Sequence, residues 1–266
     1  MKRFWGYLAV MGLLAALSAS PALGDTYFIY EQYGGTWHDA NKTAANTEDD
    51  LMCWAAAASN ILAWGHWGTA TYNTADLIFK HFQDHWTDNT GFISWGLAWW
   101  IYGFEPGYKS ISYVDVPGGG NFYPQLKLNF NYYYVGASEG NLMATIDSLM
   151  HQGKCVGLSI GSSSGSHALT AWGFEYTSPG AYTSIFFTDS DDGLPGLRQY
   201  ALVWRNNAWY LGTKLDGYGG YSLTGWKINS VQALGYLHTP IAPSWVLFGT
   251  GVFSLFLCRR RRRGKS

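Results

Sequence analysis

A thiol, an imidazole and a carboxylate stand at positions in this chain where they can work together. Cys53 lies in Asp49-Asp50-Leu51-Met52-Cys53-Trp54-Ala55-Ala56-Ala57-Ala58, behind two acids and ahead of an alanine-rich run that favours helix. A cysteine in the first turn of a helix faces unpaired backbone N–H groups and the positive end of the dipole, which favour thiolate over thiol. That is a common way to build a cysteine nucleophile. The competing role is a small apolar core residue, because free cysteine is among the most buried types. His167 follows the flexible run Gly161–Ser166 and opens a strand, which keeps its ring at a cleft edge. The next strand ends in Thr188-Asp189-Ser190-Asp191-Asp192-Gly193. His167 and Asp189 are almost symmetric about the turn at Ser178-Pro179, so antiparallel pairing puts a carboxylate beside the imidazole. Asp189 then fixes the histidine's tautomer and orientation, and His167 keeps Cys53 deprotonated.

Two other uses of these residues stay open. The aspartates could form a solvated turn or a calcium loop. An EF-hand counted from Asp189 fails, because positions 6 and 12 hold Leu194 and Tyr200, not Gly and Glu. Cys53 could also pair with Cys155, which an exported protein permits.

The elements that must hold the three groups are legible from pattern. Leu51–Trp67 reads as a helix from the spacing of Leu51, Trp54, Ala58, Ile61 and Leu62. Thr74 caps a second helix over Ala75–Trp86, and an aromatic helix follows around Ser94–Tyr102. Asn141–Gln152 is a further helix, stopped by Gly153. The back half turns to strands: Cys155–Ile160, His167–Tyr176, Tyr182–Thr188, Tyr200–Trp204, Ala208–Leu211 and Ser230–Leu237, with a hairpin signal at Thr177–Ala181. Helices first and an antiparallel sheet afterwards predict an α+β fold, with a helical layer carrying the Cys53 helix packed on a mostly antiparallel sheet.

Both ends carry their own grammar. Lys2-Arg3, an apolar stretch from Phe4 to Leu17 and small residues to Gly24 describe a signal peptide over 1–24. At the other end Trp245–Cys258 is apolar and Arg259–Arg263 follows at once. With Ile241–Ser244 the span is near the length that crosses a bilayer, and the arginines stay on the cytoplasmic side. The expected division is a signal peptide (1–24), a catalytic domain (25–239) and a C-terminal anchor with a basic tail (240–266). Eight of the 17 basic residues lie in the two ends, which leaves nine against 18 acids, a net of −9 for the exported domain. So acidic a domain repels a phosphate backbone, which excludes nucleic acid as a partner.

Four blocks, in order, resemble the IgG-degrading cysteine endopeptidases, the IdeS/Mac family: Trp37–Thr43, Asp49-Asp50-Leu51-Met52-Cys53, Ser166-His167-Ala168-Leu169-Thr170-Ala171-Trp172-Gly173 and Phe187-Thr188-Asp189-Ser190-Asp191. The resemblance implies a papain-like cysteine peptidase fold with Cys53 as nucleophile, His167 as general base and acid, and Asp189 orienting it. It further implies that Asp191 supports the pair and that Lys42, with the Cys53 backbone N–H, stabilises the oxyanion. No cofactor and no metal is implied. The tail, with Ala242-Pro243-Ser244-Trp245 where Pro-Glu-Pro usually stands, resembles the PEP-CTERM sorting signal of Gram-negative bacteria, which implies a sorting protease as a partner.

The expectation is therefore an exported, membrane-tethered cysteine endopeptidase of the cell envelope or cell surface that acts on a protein or peptide substrate. A non-catalytic binding module is the second reading, with Trp95, Trp99 and Trp100 as stacking platforms. A transglutaminase or amidase is the third, since fold-level likeness cannot separate these chemistries.

Overall fold

A computed structural model describes residues 24–43, 48–107, 113–194 and 196–237. The signal peptide and the C-terminal anchor lie outside them, as does His238. Among the described residues no helix is long and apolar enough to cross a membrane.

Eight strands form the frame: β1 (Asp25–Phe28), β2 (Tyr134–Ala137), β3 (Lys154–Ser162), β4 (Gly165–Tyr176), β5 (Tyr182–Thr188), β6 (Arg198–Arg205), β7 (Ala208–Lys214) and β8 (Lys227–Gly235). Six of them run β4–β3–β8–β7–β6–β5 and return to β4, every pairing antiparallel, so the sheet closes into a barrel. Closure between β7 and β8 is narrow. It consists of the pair Tyr210↔Lys227, backed by Leu211 N–H to Trp226 O (2.8 Å) and Gly225 N–H to Leu211 O (2.7 Å). Strands β1 and β2 add to the outside, on β4 and β8.

This corrects the expected papain-like arrangement of a helical layer on a sheet. The six strands of the back half lie close to where the sequence pattern puts them, β1 and β2 have no counterpart in that pattern, and the six wrap into a ring. Closure rests on a single residue pair from β8 and on the long β4, whose two edges serve β3 and β1 on one side and β5 on the other. Alternation along one strand carries no information about such wrapping, while closure removes the free edges that an open sheet would expose.

The helices are α1 (Ile29–Tyr33), α2 (Cys53–Trp64), α3 (Ala75–Gln83), α4 (Ile93–Tyr102), a 3-10 turn (Pro124–Asn129), α5 (Phe130–Tyr133) and α6 (Leu142–His151). Thr74 and Asn141 cap α3 and α6 through Leu77 N–H (3.2 Å) and Ala144 N–H (3.3 Å), and Gly153 follows α6 at φ +70°. Helix α2 is buried from Trp54 to Leu62, wedged between β4, α3 and α4. Its alanines allow that close fit. Gly157 on β3 helps, since a Cβ there would stand 2.7 Å from Ile93 and 3.0 Å from Ile61. The start of α2, the start of β4 and the end of β5 thereby meet at one end of the barrel.

Candidate active site

Cys53 is the first residue of α2, so its N–H belongs to the turn that has no intrahelical acceptor. The acids ahead of it organise that turn. Asp49 is fully buried; its carbonyl accepts from Met52 N–H (3.0 Å), and its carboxylate accepts from Thr43 N–H (2.9 Å) and the Gln83 amide (2.7 Å). Asp88 takes Leu51 N–H at 2.7 Å. Cys53 itself is half-buried and lines an open cleft of about 160 Å³. Cys155 is fully buried in β3, and both thiols are free, so no cystine joins them.

His167 and Asp189 are 6 % and 3 % exposed and joined by a 2.7 Å bond from Nε2 to Oδ1. The Cys53 side chain lies close enough to the ring to bear on its charge. Burial alone would disfavour the imidazolium, but the Asp189 hydrogen bond and the nearby Cys53 more than reverse this and push the pKa up to about 10. The ring is therefore held charged at neutral pH, the form that pairs with a thiolate.

The Asp189 carboxylate also accepts Asp191 N–H at 3.0 Å, which bends the turn so that Asp191 Oδ2 comes 3.8 Å from His167 Nδ1. The hairpin explains why both acids reach one ring. Tyr176 pairs with Tyr182 and Thr170 with Thr188, so the bulges at Ala171/Gly173 and Glu175/Tyr176 cancel and the hairpin centres on residue 179; carrying the register onward sets 167 opposite 191. Donor atoms of His167, Asp189 and Asp191 lie within 4.8 Å of one another, a spacing a divalent cation can bridge, although Nε2 is already committed to Asp189.

Lys42 crosses the same end. Its N–H donates to Ser190 O at 3.0 Å, while its ammonium pairs with Asp191 Oδ1 at 2.7 Å and donates to the Asp50 carbonyl. Two of its three protons are thus engaged, and Lys42 lines the same cleft as Cys53. Of the five sequence-derived candidates, Cys53, His167, Asp189, Asp191 and Lys42, all converge on this end of the barrel, and four line the cleft, with Asp189 behind His167.

Several contributors escape sequence reasoning. Asn60, 3 % exposed, accepts Ala40 N–H (2.8 Å) and donates to Thr170 Oγ1 (3.2 Å) and Thr188 Oγ1 (3.4 Å). Thr188 in turn donates to His38 O (3.0 Å) and accepts from the Trp172 indole (3.0 Å). One amide therefore ties α2 to the His167 strand, the Asp189 strand and the segment bearing Lys42. The available signal was a lone Asn seven residues after Cys53, on the same helix face within an apolar run. The opposite wall of the cleft comes from Thr90-Gly91-Phe92, where a Cβ on Gly91 would stand 2.6 Å from the Trp54 ring.

Behind the site, Arg198 clasps Asp192 with both arms of its guanidinium and also bonds Leu194 O (2.6 Å). Burial, together with Asp192 and Asp189 and against Arg198, lifts the Asp39 carboxyl to about 7. Tyr221, about half exposed, lies close enough to Asp189, Asp191 and Cys53 that burial and these charges push its hydroxyl up to about 12. Trp99 and Trp100 are 1 % and 0 % exposed; they fill the core and cannot act as stacking platforms for a binding module.

Neither a protein-family model nor a curated protein sequence matches the chain.

Proposed function

We propose that the chain is a cysteine endopeptidase that uses Cys53, His167 and Asp189. One observation carries the reading: a single buried imidazole that shares a cleft with a half-exposed thiol at a helix start and is bonded to a buried carboxylate behind it. The order of the motif blocks resembles that of the IgG-degrading cysteine endopeptidases and adds support. That support comes from the site alone, since the barrel is not the fold the resemblance implied.

The chemistry runs as follows. The Cys53 thiolate attacks a peptide carbonyl, forming a C–S bond and a tetrahedral oxyanion, which the Cys53 N–H and the remaining Lys42 proton stabilise. Collapse breaks the C–N bond as His167 gives its proton to the leaving amine, and a thioester remains. His167 then takes a proton from water, hydroxide adds to the thioester, and the acid leaves as the thiolate re-forms. Asp189 stays ionised throughout and fixes the ring.

The test is identification of new N-termini in a protein mixture treated with the wild-type chain or with Cys53→Ala. Sites cut only by the wild type support the reading. Acyl transfer to an added amine without hydrolysis would assign the transferase chemistry instead. No Cys53-dependent product of either kind would overturn thiol catalysis.

A further inference from the structure

We propose that the barrel end opposite the cleft rests on a lipid headgroup surface, presenting Tyr33, Leu128 and Tyr132 to it with Lys127 and Lys154. The reading of 241–258 as a membrane anchor underlies this proposal; the peptidase reading does not.

Strand β8 fixes the geometry. At its start, Ile228 pairs with Ile160, which pairs with His167. At its finish, Gly235 pairs with Lys154. Seven residues at about 3.3 Å each separate the two levels by roughly 23 Å. The chain leaves from the far level, where Leu237 N–H bonds Gly65 O at 2.9 Å. From Leu237 to Ile241 the backbone reaches at most about 14 Å. An apolar span beginning there holds this end of the barrel, not the cleft, against the bilayer.

The surface at that end is unusual for so acidic a domain. Leu128 is 95 % exposed, Tyr132 is 77 % and Tyr33 is 40 %. Tyr33 and Tyr132 are one neighbourhood: Lys154 Nζ donates to the Tyr133 carbonyl (3.2 Å), Tyr33 packs against Gly153 and bonds His151 O, and the Tyr236 hydroxyl bonds Tyr33 O (3.3 Å). Leu128 lies in the 3-10 turn that runs directly into the helix of Tyr132. Tyrosine, with an apolar ring and a polar tip, is the side chain suited to a membrane–water boundary. Two lysines beside these rings suit anionic headgroups, with Glu31 on α1 as the acid nearest Tyr33 in sequence. The cleft then faces away from the membrane, toward large substrates in solution.

The experiment uses the full chain carrying Cys53→Ala and Cys258→Ser, with an environment-sensitive dye at Leu128→Cys or, as the control beside the cleft, Ser163→Cys. The chain is reconstituted into phosphatidylethanolamine–phosphatidylglycerol vesicles that contain a nitroxide lipid. The expected result is several-fold stronger quenching at 128 than at 163, reduced when Tyr132→Asp is added. Equal quenching at both positions, stronger quenching at 163, or a chain that does not float with the vesicles would each overturn the proposal. Cys53→Ala removes the thiol chemistry, so none of these outcomes bears on the peptidase reading.

Discussion

Asn60→Ala tests whether one buried amide aligns the catalytic groups. The substitution leaves Ala40 N–H, in a residue with no exposure, without its 2.8 Å acceptor, at a cost of about 1–3 kcal/mol. The two longer bonds, 3.2 and 3.4 Å, go to hydroxyls that keep other partners, Ala57 O for Thr170 and His38 O for Thr188. Each of these contributes about 0.5–1 kcal/mol. The total, about 2–5 kcal/mol, lies below the stability of an ordinary domain, so the protein still folds. At about 2–4 °C per kcal/mol for a chain of this size, the melting temperature falls by roughly 4–20 °C. Ser59→Ala is the control: Ser59 is equally buried on the same helix, but its hydroxyl bonds only the local Ala55 carbonyl (2.8 Å), so about 1 kcal/mol is expected. The second readout is the rate of iodoacetamide capture at Cys53, read by peptide mass mapping well below the melting point. Asn60→Ala should slow capture several-fold and Ser59→Ala should leave it unchanged. A melting temperature within 2 °C of wild type, or full-speed capture despite a lowered one, would refute the alignment role.

Other consequences follow from the same geometry. The His167 pKa rises from 6.5 unfolded to about 10 folded, so its contribution to stability is complete below about pH 6.5 and is lost as pH climbs toward 10; denaturant titrations from pH 6 to 10 should show a steeper decline for wild type than for His167→Ala. If Lys42 and Asp191 act as one unit through their 2.7 Å ion pair, Lys42→Ala and Asp191→Ala each slow acylation of a substrate roughly 10–100-fold, and the double variant is no slower than either; additive losses would show separate roles. Gly91→Ala drives a methyl to 2.6 Å from the Trp54 ring and should cost about 1–3 kcal/mol in a thermal melt while narrowing the cleft. Iodoacetamide should reach Cys53 in its open cleft far faster than Cys155, whose thiol burial both covers and pushes up in pKa; comparable labelling of the two in the native protein would contradict the placement.

The local elements were legible because their signals are local. Thr74 and Asn141 cap helices through side chains that compete for backbone N–H groups, and Tyr182–Thr188 is rich in residues that favour strand. Cys53, His167 and Asp189 were found by the same logic, since a helix start and a hairpin place their residues by counting. The ring closure was not legible. It depends on how β7 meets β8 through Tyr210 and Lys227, two residues with no distinctive chemistry, and on two bulges in the β4–β5 hairpin. That hairpin centres on residue 179, one past the centre that pairs 167 with 189, which is why a symmetric count pointed to Asp189 alone when Asp191 shares the ring.

The two hairpins of β4 also explain how a site can be exact in geometry yet open to a substrate. His167 stands near the beginning of β4 and Asp189 just past the end of β5, and a strand terminus with few neighbours resists opening poorly. Here β4 is held along both edges, and Thr170 and Thr188, the last pair across the β4–β5 hairpin before His167 and Asp189, are locked to Asn60 of α2. The rigidity that keeps the imidazole between sulfur and carboxylate therefore comes from buried hydrogen bonds one turn below the surface. The cleft above them is lined by Gly91, Phe92 and Ser166, which impose little. Substitutions in that lower layer should alter turnover without touching substrate, and substitutions in the upper layer should alter which substrates are cut.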